Sequence, residues 1–466
     1  MGMVVTGRPW RLHRAKVRGG GAHLCWRCER ERVDCDTKGC CRVPVRDARI
    51  CRKTALQSSR TVDVPNVNPE ILRWAREQSG LTLGEAADKL EIAAAKGVAP
   101  IDRLAALERG EAVPTRPMLL RMCKQYRRPL LIFYLESPPR TVARGQDFRT
   151  LTGDATPSEE VLLDALLRDV RTRQAIVRDA LEGADEAEPV AYVGSMSLAD
   201  GPEAVAIAIQ QTLHFDLQAF RGRQDAAAAF GYLRDCAEAA RCFVLLVGDL
   251  GSHHSALDVD TFRGFALADR IAPFAVINDH DAKSAWSFTL VHELAHIWLG
   301  QTGVSGGRAE LDVELFCNEV AATTLLPRAE LATLDLGPRD PLDQLIETIG
   351  RFASQRNVSS SMVAYGLFQT GRLTEARWQR VANSLAEMWV AERDRRRSRA
   401  QGQEGGPDYY VVRRHRVGSG LASTVSRLLR AGELSTTQAG KVLGVRPKLV
   451  GKLLGFGDLP TAGSRG

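Results

Sequence analysis

Residues 288–300 read FTLVHELAHIWLG, and this stretch constrains the chain more than any other. Eight of its thirteen residues are apolar, yet His292, Glu293 and His296 sit among them. Burying two imidazoles and a carboxylate without partners costs several kcal/mol, on the order of 2–7 for each polar group. Two histidines at i and i+4 lie about 40° apart around a helix, so both rings enter the same space. That arrangement suits two corners of a zinc tetrahedron, and a bound cation removes the burial cost. Glu293, on the adjoining face, is positioned to reach a water at such an ion.

A zinc site that works on a substrate needs a third protein ligand and an open position. The segment ELDVELFCNEVAATTLLPR, 310–328, reads as a second apolar helix with embedded acids. It offers Glu310, Asp312, Glu314 and Glu319, with Cys317 as an outsider. Spacing alone does not choose between Glu314 and Glu319.

Around this core the chain reads as α+β and mostly helical. Apolar residues are 44% and charged residues 26% of 466, an ordinary globular composition. No run approaches the roughly 20 apolar residues of a membrane span. The N-terminus carries no apolar stretch long enough for a secretory signal, so the expected location is the cytoplasm, with no membrane partner. Strands are expected at 242–248 (CFVLLVG), 261–268 (TFRGFALA) and 273–278 (PFAVIN), which makes a small sheet packed on the histidine-bearing helix. Helices are expected at 157–181, 202–213 and 224–240, and again after Pro327.

The net charge of +7 is unevenly spread. Residues 1–60 hold 15 Lys/Arg against 5 Asp/Glu, residues 391–466 hold 15 against 6, and the middle holds 33 against 45. Basic ends on an acidic body point to nucleic-acid contact at the ends, if anywhere. Six of the ten cysteines fall between Cys25 and Cys51. One CxxC followed by Cys35, Cys40 and Cys41 is not a clean two-pair zinc set. The segment 1–60 is expected to be an over-extended gene start, with translation beginning near Val62 or Val64, a disordered basic tail, or a zinc-binding segment. The remaining expected divisions are a helix-turn-helix domain at 61–140, a domain carrying the histidine pair at 141–390, a linker at 391–408 and a C-terminal helix-turn-helix at 409–466.

FTLVHELAHIWLG followed by ELFCNEVAATTLLP resembles the ImmA/IrrE family of zinc metallopeptidases. The family's pattern is HExxH and, downstream, E-x-x-A-N-x-F-A-A-E-L-L-M-P. Counted back from Pro327, the resemblance places the ligand glutamate on Glu314 and the asparagine on Asn318. Cys317 stands for the family's Ala, Val320 for its Phe, and Thr323, Thr324, Leu325 and Leu326 for Glu-Leu-Leu-Met. The resemblance runs from about 140 to 375 and includes NVSSSMVAYGLFQTGRL, 357–373, for which it implies a packing role around a substrate cleft. It implies Zn²⁺ held by His292, His296 and Glu314, with Glu293 as general base in peptide hydrolysis. The implied substrate is a repressor or antitoxin-type transcription factor. A transcriptional regulator or toxin–antitoxin component with a non-catalytic zinc site is the alternative. His253, His254 and His280 are candidates for stabilising the oxyanion by residue type alone.

Residues 68–136 resemble Xre-type helix-turn-helix domains, with Leu107, Glu108, Gly110 and Pro114 on the structural positions. The expected recognition helix offers Arg103 and otherwise mainly Ala and Leu, and an extra stretch, EIAAAKGVAPI, enters the turn. Protein contact is therefore an alternative to binding double-stranded DNA. A second helix-turn-helix pattern, 434–454, places Ala439, Leu443, Gly444, Val445, Val450 and Leu453 in its core. It presents Arg446, Lys448 and Lys452 to phosphates.

Overall fold

The computed structural model describes residues 67–95, 97–139, 157–251, 255–259, 261–301, 308–337, 340–401 and 408–456. The Cys-rich segment 1–60 and both expected start positions lie outside the described residues, as do His253 and His254. The described residues are 63% helical and contain one three-stranded sheet. Among the described residues no helix is long and apolar enough to cross a membrane.

The first block contains α1 (Pro69–Glu77), α2 (Leu83–Lys89), α3 (Pro100–Glu108) and α4 (Arg116–Gln125). Local signals set its helix starts. Asn68 caps α1 by accepting from the Glu70 N–H, and Pro69 occupies the first turn. Thr82 and Glu85 close a capping box on α2. Ile71, Leu72, Leu104, Met122 and Phe133 fill the core. A buried bidentate pair, Arg76 to Glu108 at 2.7 and 3.0 Å, crosses it. Arg103 does not stand clear on the third helix, because its guanidinium donates to the Ala93 carbonyl in the extra stretch. The expected base-reading side chain is thus engaged in holding the inserted turn.

The sheet has the order β1-β3-β2, with β1 (Phe243–Leu246), β2 (Gly264–Leu267) and β3 (Phe274–Ile277). β1 pairs parallel with β3 in the register Phe243↔Phe274, and β2 pairs antiparallel in the register Gly264↔Ile277. Alternation along the strands divides the side chains between two cores. Val244, Leu246, Ala266, Ala275 and Ile277 join the larger cluster. Phe243, Leu245, Phe265, Leu267, Phe274 and Val276 face the other.

The first of these cores is covered by helices that carry the site. α5 (Pro157–Gly183) lies on the other side of the sheet, whereas α6 (Pro202–Thr212) and α7 (Ala226–Ala239) pack with α8 (Lys283–Trp298). α9 (Arg308–Leu325) lies against both α6 and α8. α10 (Leu342–Ser354) and α11 (Ser360–Gln369) complete the layer.

α12 runs Glu375–Gln401, so residues 391–401, expected as linker, are helical. The run is helical because its Glu, Arg, Ala and Gln are good helix formers. Glu392 and Arg395 also pair at i, i+3, 3.4 Å apart. Residues 402–407 lie outside the described residues.

The C-terminal helices are α13 (Tyr409–Val417), α14 (Ser419–Ala431), α15 (Thr436–Leu443) and α16 (Val450–Leu454). Val417, Leu421, Val425, Val442, Leu443 and Leu453 share one core with Leu166 and Val170 of α5 and with the sheet's second face. Buried charge reinforces the seam. Arg234 of α7 pairs with Glu238 at 3.1 Å and donates to the carbonyls of Val244, His415 and Arg416. Glu238 accepts from the Ser419 hydroxyl and the Gly420 N–H, both at 2.7 Å.

Candidate metal centre and substrate cleft

α8 is buried because apolar residues encircle it. Trp286, Leu290, Val291, Leu294, Ala295, Ile297 and Trp298 are all buried. His292 and His296 leave this helix on its α9 side. Their Nε2 atoms stand 3.1 Å apart. Glu314 of α9 reaches both, Oε2 lying 3.2 Å from His292 Nε2 and Oε1 lying 3.1 Å from His296 Nε2.

Among the described residues these three are the group able to hold a metal ion. The fit can be tested on the spacing. Zinc with bonds near 2.05 Å sets tetrahedral ligand atoms roughly 3.3 Å apart. The two Nε2 atoms, 3.1 Å apart, match one edge of such a tetrahedron, and they lie 3.2 and 3.1 Å from the two oxygens of the Glu314 carboxylate. Both Nδ1 atoms are buried without hydrogen-bond partners, which leaves the Nε2 pair as the working edge of each ring. Two like nitrogens aimed at each other and at one carboxylate are reconciled by a cation between them.

The electrostatics fit the same use at His292 and Glu314. Burial pulls the His292 pKa below its usual value, so the ring stays neutral with a lone pair to give. For Glu314 burial acts upward, but hydrogen bonds from His292 and His296 prevail and hold the carboxyl well below the usual range. Burial also acts downward on His296, where contacts with Cys317 and Glu314 outweigh it and raise the value. Asn318, one turn further along α9, lines the same cleft.

Other acids of the second helix go elsewhere. Asp312 is exposed, Glu319 is paired with Arg328, and the Glu310 side chain lies outside the described residues. Cys317 is buried beside His296 rather than in the three-residue group.

Glu293 is 5% exposed and lines a cleft of about 730 Å³ together with the three convergent residues. A cleft of that size holds a ligand of several residues' bulk. One wall is β2. The Arg263 carbonyl accepts from the Asn278 N–H, and the Val247 N–H bonds the Ile277 carbonyl on the opposite side of β3. Gly264, opposite Ile277, therefore forms a non-hydrogen-bonded pair. The polar backbone groups of Gly264 and Ala266 face away from β3, and both residues line the cleft. α11 also lines the cleft, with Met362, Tyr365 and Gln369.

Sequence reasoning missed Gly264, Tyr365 and the two exposed leucines Leu311 and Leu315. A glycine inside a strand signals close approach of something to the backbone, and this one could have been read so. His280 does not line the cleft; its Nδ1 lies 3.4 Å from the Leu257 carbonyl. Arg446, Lys448 and Lys452 are exposed on and before α16, far along the chain from this group. Lys452 Nζ stands 4.5 Å from the centroid of the Tyr410 ring.

Residues 248–368 match the family described as IrrE N-terminal-like domain (Peptidase_M78). The matched segment carries β2, β3, α8, α9, α11 and every residue of the convergent group, which supports the ImmA/IrrE, metallopeptidase-like reading of that segment. The comparisons find no match among curated proteins or solved structures.

Proposed function

We propose that the protein is a zinc-dependent endopeptidase, with Zn²⁺ held by His292, His296 and Glu314 and with Glu293 as general base. The carrying observation is the convergence of two Nε2 atoms, 3.1 Å apart, on the Glu314 carboxylate, whose oxygens lie 3.2 and 3.1 Å from them, inside a cleft that Glu293 also lines. A zinc ion bound there supplies a polarised carbonyl and a water acidified to a pKa near 7.

The chain's own residues do the rest. An extended peptide lies along β2, using the outward backbone groups of Gly264 and Ala266 as a further strand. Glu293 takes a proton from water as its oxygen bonds the scissile carbonyl carbon. It passes that proton to the amide nitrogen as the C–N bond breaks, leaving a carboxylic acid and an amine. The developing oxyanion needs a donor. Tyr365 supports this role, because its oxygen accepts from Gln369 Nε2 at 2.6 Å, which leaves its own proton to give.

Regulatory modules flank this centre. α15 and α16 with exposed Arg446, Lys448 and Lys452 support contact with double-stranded DNA through phosphates. The Xre-like block, with Arg103 engaged internally, supports a partner-binding role at least as well. A repressor or antitoxin-type transcription factor is the proposed substrate, from the family resemblance. Comparison of new protein N-termini in cells expressing wild type or Glu293→Gln tests the whole reading: identical sets would refute it.

A further inference from the structure

The peptidase reading leaves open which peptides the cleft takes, and the cleft face of α9 answers this. Leu311, Glu314, Leu315 and Asn318 fall at i, i+3, i+4 and i+7, so they share one helix face, and all four line the cleft. Glu314 is the carboxylate that reaches both histidines. Leu311 is 58% exposed and Leu315 51%. The helix has already buried a different apolar face: Val313, Cys317, Val320 and Ala321 belong to the large core. A surface helix needs only one apolar stripe for packing, so a second, solvent-facing pair of leucines beside Glu314 serves something else. Tyr365, itself 38% exposed, and Met362 line the same cleft from α11.

We infer that the protein selects substrates by a bulky aliphatic or aromatic side chain flanking the scissile bond, received between Leu311 and Leu315 on one side and Met362 and Tyr365 on the other. This rests on the peptidase reading above and names its substrate class. Neighbours on one helix face stand about 5–6 Å apart at Cβ, so a carbonyl held beside Glu314 brings its adjoining side chain onto the leucines. The nearest cleft charges do not call for a charged side chain. Glu319 and Arg328 neutralise each other, and Arg263 lies 3.5 Å from Asp281. The occupant is a peptide rather than a second copy of the chain, because the leucine face is continuous with the convergent group and lines the same cleft as the backbone edge of β2.

The test uses the zinc-loaded full chain and a proteome-derived peptide library, with products read by mass spectrometry. One position next to the cleaved bond should be enriched in Leu, Ile, Met or Phe. The Leu311→Glu/Leu315→Glu variant should bind zinc as wild type does, lose about 10- to 200-fold in kcat/KM on the best apolar peptide, and favour Lys or Arg at that position. Leu315→Gln alone should move the same way by less. A second readout is calorimetric binding of leucine hydroxamate against glycine hydroxamate. Wild type should prefer the former at least tenfold, and the double variant should not. Cleavage by wild type with no apolar preference, or an unchanged profile in the double variant, overturns the inference and leaves the peptidase reading standing. No cleavage of any peptide overturns both. A wild-type dimer that the double variant converts to monomers assigns the leucines to a subunit interface instead.

Discussion

Gly264 and Glu293 share a space that only one of them fills. A Cβ built on Gly264 would stand 2.7 Å from Glu293 Oε1, 2.6 Å from Thr289 Cγ2 and 2.9 Å from the Val276 carbonyl oxygen. The Glu293 carboxylate is packed against the bare backbone of the edge strand. Gly264→Ala is expected to push it aside while leaving His292, His296 and Glu314 untouched. Zinc content should stay at one ion per chain and peptide cleavage should fall about a hundredfold, the effect of misplacing a reacting group by about 1 Å. Cleavage at the wild-type rate would show that Glu293 is not the base.

Holding the ion and moving the proton should separate by mutation. Glu293→Gln keeps the shape of the side chain but cannot accept a proton, so it should retain zinc and lose about 10²- to 10⁴-fold in turnover. Glu314→Ala removes the group that bridges both imidazoles and should release zinc on dialysis against a mild chelator. Atomic absorption after dialysis, beside a peptide assay, checks both. An Glu314→Ala protein that holds its ion as firmly as wild type contradicts the ligand assignment.

The part of this architecture that was legible from the sequence was the part made by local pattern. The run FTLVHELAHIWLG is apolar on every other face, so its histidines announced both the helix and the need for a partner. β1 and β3 are short continuous apolar runs, as buried strands are. What pattern could not show is what long-range packing decides. Ser435 and Gln438 close a capping box that marks a helix start, but nothing local says that Leu443 and Leu453 share a core with Phe265 and Phe274. Leu311 and Leu315 read as part of an apolar helix, and only the fold puts them on the side away from its core. The helix through 391–401 was hidden because high charge reads equally well as linker and as solvated helix.

Arg234 gives that long-range packing a measurable handle. It is 5% exposed, and its removal would strand Glu238, 9% exposed, without its cation. Breaking a buried pair from one side costs about 3–5 kcal/mol. Arg234→Ala should lower the urea midpoint by that amount of stability and expose the seam between α7, β1 and the start of α14 to proteolysis near Gly418. The double change Arg234→Met/Glu238→Leu should recover much of the loss, because neither charge is then stranded.

Acid should loosen the same side of the sheet through Asp169. This carboxylate on α5 lies 2.6 Å from Arg173 and 2.6 Å from Lys441 of α15. Burial acts to raise its pKa, but the Arg173 charge and the Lys441 hydrogen bond outweigh it, so the folded value lies below the ordinary one. Protonation is therefore easier in the unfolded chain, where the value is about 3.9. The stabilisation is fully present above that pH and is lost as pH falls through the folded value. Asp169→Asn should lower stability at neutral pH and remove this contribution to the acid-side slope, leaving the two proteins closer in stability as acid increases. Urea unfolding at intervals from pH 6 downward measures it. A constant gap between wild type and Asp169→Asn across that range would show that the α5–α15 contact carries no proton-linked energy.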